Sequence, residues 1–88
     1  MRMSNLTFSD KGWEDYLYWQ LTDKKMLQKI NELLKDIQRN GYEGIGKPEP
    51  LKYRKAWSRR IDQEHRLVYA LDENGNVFIL SLKGHYED

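Results

Sequence analysis

The chain predicts an α+β domain, with two N-terminal helices packed on one face of a mostly antiparallel, twisted sheet of four to five strands. Three observations predict it. Apolar residues between positions 26 and 37 recur at the offsets of one helix face. Short apolar runs in the second half are separated by glycine, proline and Asn-Gly breaks. At 88 residues the chain has room for one domain, spanning 1–88, and only a modest core.

Residues 5–8 open the fold, with Leu6 and Phe8 alternating against polar neighbours as in a short strand. Ser9 or Asp10 then offers an N-cap oxygen to a helix over 10–21, where Trp13, Tyr16, Leu17 and Leu21 recur at helical spacing. Thr22 and Asp23 interrupt that pattern and cap a second helix. Its apolar face is Met26, Leu27, Ile30, Leu33, Leu34 and Ile37, with Lys24, Lys25, Lys29, Glu32, Lys35 and Asp36 on the solvent side. Asn40-Gly41 supplies its stop. Residues 41–52, GYEGIGKPEPLK, break regular structure, and Pro48 and Pro50 hold Glu49 in a stiff extended tripeptide. Strands follow over 51–61, with a bend near Arg54-Lys55, then over 65–71 and 77–83 around the hairpin signal Asn74-Gly75. Alternation puts Leu67 and Leu71 against the helices, and Arg66 with Val68 and Ala70 on the open face. His65, on the helix side, reads as a hydrogen-bonded structural histidine.

Composition excludes several classes. With no cysteine, neither a disulfide scaffold nor thiolate-bound zinc is available. No apolar stretch approaches the roughly 18 residues that cross a bilayer, and residues 1–12 carry no continuous apolar segment of a signal peptide. A cytoplasmic setting is therefore expected. The net charge of +1 conceals a local excess: residues 47–66 hold seven basic and three acidic side chains, a footprint for a polyanion or an acidic partner, or else a solvated hairpin.

Few residues suit chemistry. His65 and His85 are the two histidines, and His85, in GHYED, reads either as a tail residue or as an acid. Glu49 is a preorganised carboxylate inside the basic block, or a surface glutamate. Arg59, Arg60 and Arg66 either bind phosphate or coat an edge strand. No HxxxH, Asp-x-Asp or Gly-rich phosphate loop occurs, nor a nucleophilic triad, so no metal or other cofactor is expected. A carboxylate, arginines and a late histidine suffice for a metal-free phosphodiester site, because RNA carries its own 2′-hydroxyl nucleophile.

The strings DYLYWQ (15–20), KINELLKDI (29–37), GIGKPEPLK (44–52), WSRRI (57–61), EHRLVYAL (64–71) and His85-Tyr86 resemble, in order, the YoeB/Txe toxins of the RelE/ParE superfamily. The resemblance implies a RelE-like, microbial-ribonuclease-like fold and a ribosome-dependent endonuclease that cleaves mRNA in the A site without a metal. It implies the toxin half of a type II toxin–antitoxin pair: a YefM-type antitoxin as partner, a homodimer, and contact with operator DNA only as the antitoxin complex. The family's base falls on Glu49, its transition-state arginine on Arg66, its acid on His85 with Tyr86 adjacent, and supporting phosphate contacts on Lys52 and Arg60. The ParE-type toxins use the same scaffold against DNA gyrase. A second reading is thus a non-cleaving module, either a gyrase binder or a degenerate toxin acting only with its antitoxin at operator DNA. Two features depart from the usual family pattern: only Tyr53-Arg54-Lys55-Ala56 separates PLK from WSRRI, and Glu87-Asp88 follows the His-Tyr pair.

Overall fold

The computed structural model describes residues 4–85. Seven elements follow in order: β1 (Leu6–Phe8), α1 (Asp10–Thr22), α2 (Lys24–Asn40), β2 (Glu49–Pro50), β3 (Trp57–Arg60), β4 (Arg66–Leu71) and β5 (Val77–Ser81). The strands form one sheet in the order β1-β5-β4-β3-β2. β1 runs parallel to β5, and every other pair is antiparallel. The expected α+β layering is thus present, with five strands.

The helix ends follow their cap chemistry. Ser9 Oγ accepts from Gly12 N–H at 3.0 Å and itself donates to Leu80 O at 2.9 Å, so one hydroxyl starts α1 and ties it to β5. Asp23 accepts from the amides of Lys25 and Met26 to start α2, and Gly41 at φ 65 ends it. The α2 stripe behaves as its spacing predicts. Ile30, Leu33, Leu34 and Ile37 are buried against Leu67, Tyr69, Val77, Ile79 and Leu82, each contributing about 1.5–3 kcal/mol by leaving water.

α1 departs from expectation. Its buried residues are Gly12, Asp15 and Trp19, while Trp13 is 50% and Leu21 85% exposed. The helix is docked by polar contacts to the end of β5, and these rotate it away from its apolar stripe. Asp15 Oδ2 accepts from Leu82 N–H at 2.9 Å, and Trp19 Nε1 donates to Leu82 O at 2.9 Å. Trp13 instead stacks on Tyr16 and meets Phe8 edge-on, building an outer aromatic cluster beside β1.

The expected strand over 51–61 is also corrected. Its N-terminal half is a loop closed by Leu51 N–H to Ala56 O at 2.8 Å, and its pairing partner is the Glu49–Pro50 segment, with Glu49 opposite Ser58. Pro50 has no N–H to donate, so this short strand is tolerated at the sheet edge. Between Val68 and Tyr69 the β4–β5 register shifts, with Tyr69 facing Ile79 but Val68 facing Ser81. That bulge at Leu80 reverses the parity of β5, so that Leu82 enters the core.

A consequence for stability concerns Gly12. Replacing a helix-interior glycine by alanine ordinarily stabilises by up to about 1 kcal/mol, but a Cβ here would lie 2.5 Å from Ile79 O. Gly12→Ala is expected to lower stability by about 1–3 kcal/mol, read as a lower urea midpoint. A raised midpoint would refute the tight α1–β5 approach.

Candidate active site

The sheet face away from the helices gathers the chemistry. Register places Glu49 opposite Ser58, Ser58 opposite Val68, and Arg60 opposite Arg66, all on this face, while Arg59 opposite Leu67 belongs to the helix face. From β4, Arg66 reaches diagonally across β3, and its Nη1 donates to Glu49 Oε1 at 3.2 Å. The residue on this face of β3 between them is small, Ser58, and it is buried. Arg66 is largely buried, with 16% of its side chain accessible, whereas Glu49 is 56% accessible. Arg60 and Arg66, as cross-strand neighbours, place like charges side by side, an arrangement that is unfavourable alone and favours an anion.

The C-terminal segment arrives at the same place. Arg66 N–H donates to Gly84 O at 3.0 Å, so His85, exposed, follows directly on the residue that pairs with the backbone of Arg66. Arg66 therefore meets Glu49 through its side chain and the segment leading to His85 through its backbone N–H. Arg60, also exposed, borders a depression of about 410 Å³ with Lys29 and Lys47. Lys52 is exposed on the 51–56 loop, its Nζ 5.8 Å from the ring centre of Tyr53. Tyr86 lies outside the described residues. A cavity of about 610 Å³ at Ser4, Gln38, Gly41 and Asn76 contains none of these residues.

Arg59 must be removed from the set of phosphate contacts. It is fully buried, and its five N–H groups are all engaged: Nε with Tyr69 OH, Nη1 with Asp36 Oδ2 and Ile45 O, Nη2 with Gly41 O and Glu43 O. No donor is left for a ligand. Its role is to fold residues 41–46 around itself. Gly44 packs so close that a Cβ would collide with the Asp36 carboxylate. Arg60 N–H then takes Gly46 O at 2.7 Å, and the chain passes through Lys47, at the strained φ of 52, and Pro48 into Glu49. Asp36, expected on the solvent side of α2, is the carboxylate that balances this charge. Desolvation raises its pKa, but hydrogen bonds from Arg59, the Ile45 amide and Asn40, with the attraction of Arg59, outweigh it and hold the carboxyl below its ordinary 3.8. Burial pushes the Tyr69 hydroxyl up, so it stays protonated and donates to Gly41 O.

The buried acid Asp15 and the partly buried acid Asp36 were both missed. Periodicity assigns both to polar faces, and the available signal was a buried cation or open amide needing a partner, which a linear pattern does not display. His65 is hydrogen-bonded on the helix side, as expected, with Nδ1 accepting from Gly84 N–H at 2.9 Å.

Comparison with known proteins agrees with this architecture. Residues 8–86 match the family described as the YoeB-like toxin of bacterial type II toxin-antitoxin systems. The chain is 53% identical over 83 residues to toxin YoeB of Escherichia coli K12, covering 92% of this chain and 98% of that one. Among solved structures, the YoeB dimer from Staphylococcus aureus superposes with a TM-score of 0.88 at 57% identity, covering 97% of this chain and all of that one. A YoeB–YefM complex from the same organism gives a TM-score of 0.86 at 55% identity, with coverage of 97% and 100%. Fold and site surface together define an α+β toxin of the RelE/ParE superfamily. Within it, the chain belongs to the YoeB toxins of type II toxin–antitoxin systems.

The buried pair carries a stability prediction. Arg59→Ala removes the cation that balances Asp36 and the donor to Glu43 O and Ile45 O, and is expected to cost about 3–5 kcal/mol in urea unfolding. Asp36→Asn tests the pH dependence. A carboxyl lowered in the folded state stabilises above 3.8 and loses that contribution as pH falls through its folded value. The stability gap between parent and Asp36→Asn should therefore be widest near neutrality and narrow in acid. A constant gap would refute the ion pair.

Proposed function

We propose that this toxin is a ribosome-dependent mRNA endonuclease that cuts in the A site by side-chain acid–base chemistry. Glu49 takes the proton of a ribose 2′-hydroxyl, whose oxygen attacks the adjacent phosphorus. Arg66, assisted by Arg60 and Lys52, stabilises the crowded, doubly charged phosphorane. The P–O5′ bond breaks as His85, with Tyr86 beside it, protonates the leaving oxygen, and the upstream fragment retains a 2′,3′-cyclic phosphate. The observation that carries this reading is the contact of Glu49 with Arg66 on the open face, with the backbone leading to His85 hydrogen-bonded to that same arginine.

A weak resting contact suits this chemistry. Glu49 is more than half exposed, and such pairs are worth about 0–1 kcal/mol. An incoming phosphate can therefore take Arg66 from it and leave the carboxylate free to act as a base. The basic segment 47–66 supplies the attraction for a polyanion.

The partners proposed are a YefM-type antitoxin, a second copy of the chain, and operator DNA only when the antitoxin is bound. The Staphylococcus aureus complex and dimer support the first two. The ribosome as the site of action makes the cytoplasm the place of work.

Cleavage of ribosome-bound mRNA by purified protein, followed by toe-printing, tests the proposal. Parent protein is expected to cut at the A-site codon, and Glu49→Gln, Arg66→Ala and His85→Gln each to lose at least about 100-fold in rate. Parental rates in all three variants would overturn the site, and binding without a cut would favour the non-cleaving module.

A further inference from the structure

β5 ends at Ser81, and the three residues leading to His85 have left the regular ladder. Leu82 and Gly84 are nevertheless fixed at their backbone polar groups by three side chains and one backbone N–H from elsewhere. Leu82 N–H donates to Asp15 Oδ2 and Leu82 O accepts from Trp19 Nε1, each at 2.9 Å. Gly84 N–H donates to His65 Nδ1 at 2.9 Å, and Gly84 O accepts from Arg66 N–H at 3.0 Å.

His65 is the outermost of these anchors and is itself held. Its N–H donates to Asp62 Oδ1 at 2.7 Å, its carbonyl accepts from Ile61 N–H at 2.9 Å, and its ring stands edge-on to Trp19 at 4.8 Å. An Nδ1 that accepts from an amide carries no proton, so a neutral ring here holds its proton at Nε2. Gly84 lies at φ 101, a conformation side-chain-bearing residues resist, yet a Cβ there would meet nothing within 4 Å. The segment is therefore constrained by dihedral and hydrogen bonds rather than by crowding.

We infer that His65 is a positioning residue: through Nδ1 and the Gly84 amide it sets where His85 stands relative to Arg66. The inference rests on the nuclease reading above, in which His85 must meet a leaving oxygen within a few tenths of an ångström. A misplacement of about 1 Å costs up to about 100-fold.

The test compares His65→Phe, which retains a ring against Trp19 but deletes the acceptor, with His65→Asn, whose Oδ1 can stand where Nδ1 does. Gly84→Ala, at an open surface position, perturbs the same segment without touching the core. Single-turnover cutting of ribosome-bound mRNA, apparent ribosome affinity, urea midpoint and hydrogen exchange at the Gly84 amide are measured on each. His65→Phe and Gly84→Ala are expected to cut about 10- to 100-fold more slowly with ribosome affinity within about twofold. The Gly84 amide should exchange at least about tenfold faster in His65→Phe, and His65→Asn should restore both rate and protection. Parental cutting by His65→Phe overturns the inference. So does an equal loss in His65→Asn and His65→Phe that tracks the urea midpoint, since that marks a merely structural role. Parent protein that leaves mRNA intact overturns the nuclease reading itself, and the inference with it, a result distinct from either.

Discussion

The buried guanidinium of Arg59 is the interaction on which the remainder of the site depends. A cation taken out of water is tolerable only when its charge is balanced and its donors are all used. Here one carboxylate, one phenol oxygen and three backbone carbonyls meet that requirement. The three carbonyls belong to residues 41–45, a stretch without regular structure that would otherwise leave Glu43 O and Ile45 O unpaired. The same contacts that make the charge tolerable therefore give an irregular loop a defined path. That path delivers Glu49 to the sheet edge.

Arg59 and Arg60 are adjacent in sequence and opposite in role, and the parity of β3 separates them. Arg59 shares its face with Trp57 and faces Leu67, while Arg60 faces Arg66. One position of slip would exchange the two, exposing the anchor and burying Arg60. The register is held from both sides, by Arg60 N–H on Gly46 O and by the β4 ladder.

What could be read from sequence divides along the same line. α2 and the split of Leu67 and Leu71 from Arg66 follow from periodicity, because there burial of apolar surface alone decides orientation, and the Asn74-Gly75 hairpin follows from its turn residues. Where polar contacts decide, the pattern misleads. α1 turns Asp15 and Trp19 inward because Leu82 needs partners for its N–H and C=O, and its apolar stripe loses. Arg59 counted as surface charge because charge runs are ordinarily solvated. The alternation that placed Arg66 outward, applied to Trp57 and Arg59, would have placed Arg59 inward. The bulge at Leu80 has no signature in the string VFILSLK, yet it determines that Leu82 is buried. Of the candidate site, Glu49 and Arg66 were named through the resemblance and the alternation, whereas the groups that hold them were not.

Two sequence-distant segments thus reach Arg66 by separate routes. Residues 41–49 are shaped by Arg59 and Asp36, and residues 82–84 by Asp15, Trp19 and His65. Arg66 touches both, with its side chain on Glu49 and its backbone N–H on Gly84. The Glu49–Arg66 pair, with its carboxylate more than half exposed, is too weak, at about 0–1 kcal/mol, to organise either segment. Geometry is therefore fixed by Arg59, Asp36, Asp15, Trp19 and His65, while in the proposed nuclease the contact an incoming phosphate displaces is the weak one. In that proposal the surface stays ordered when the pair opens, so that a bound phosphate inherits a preformed arrangement instead of having to create one.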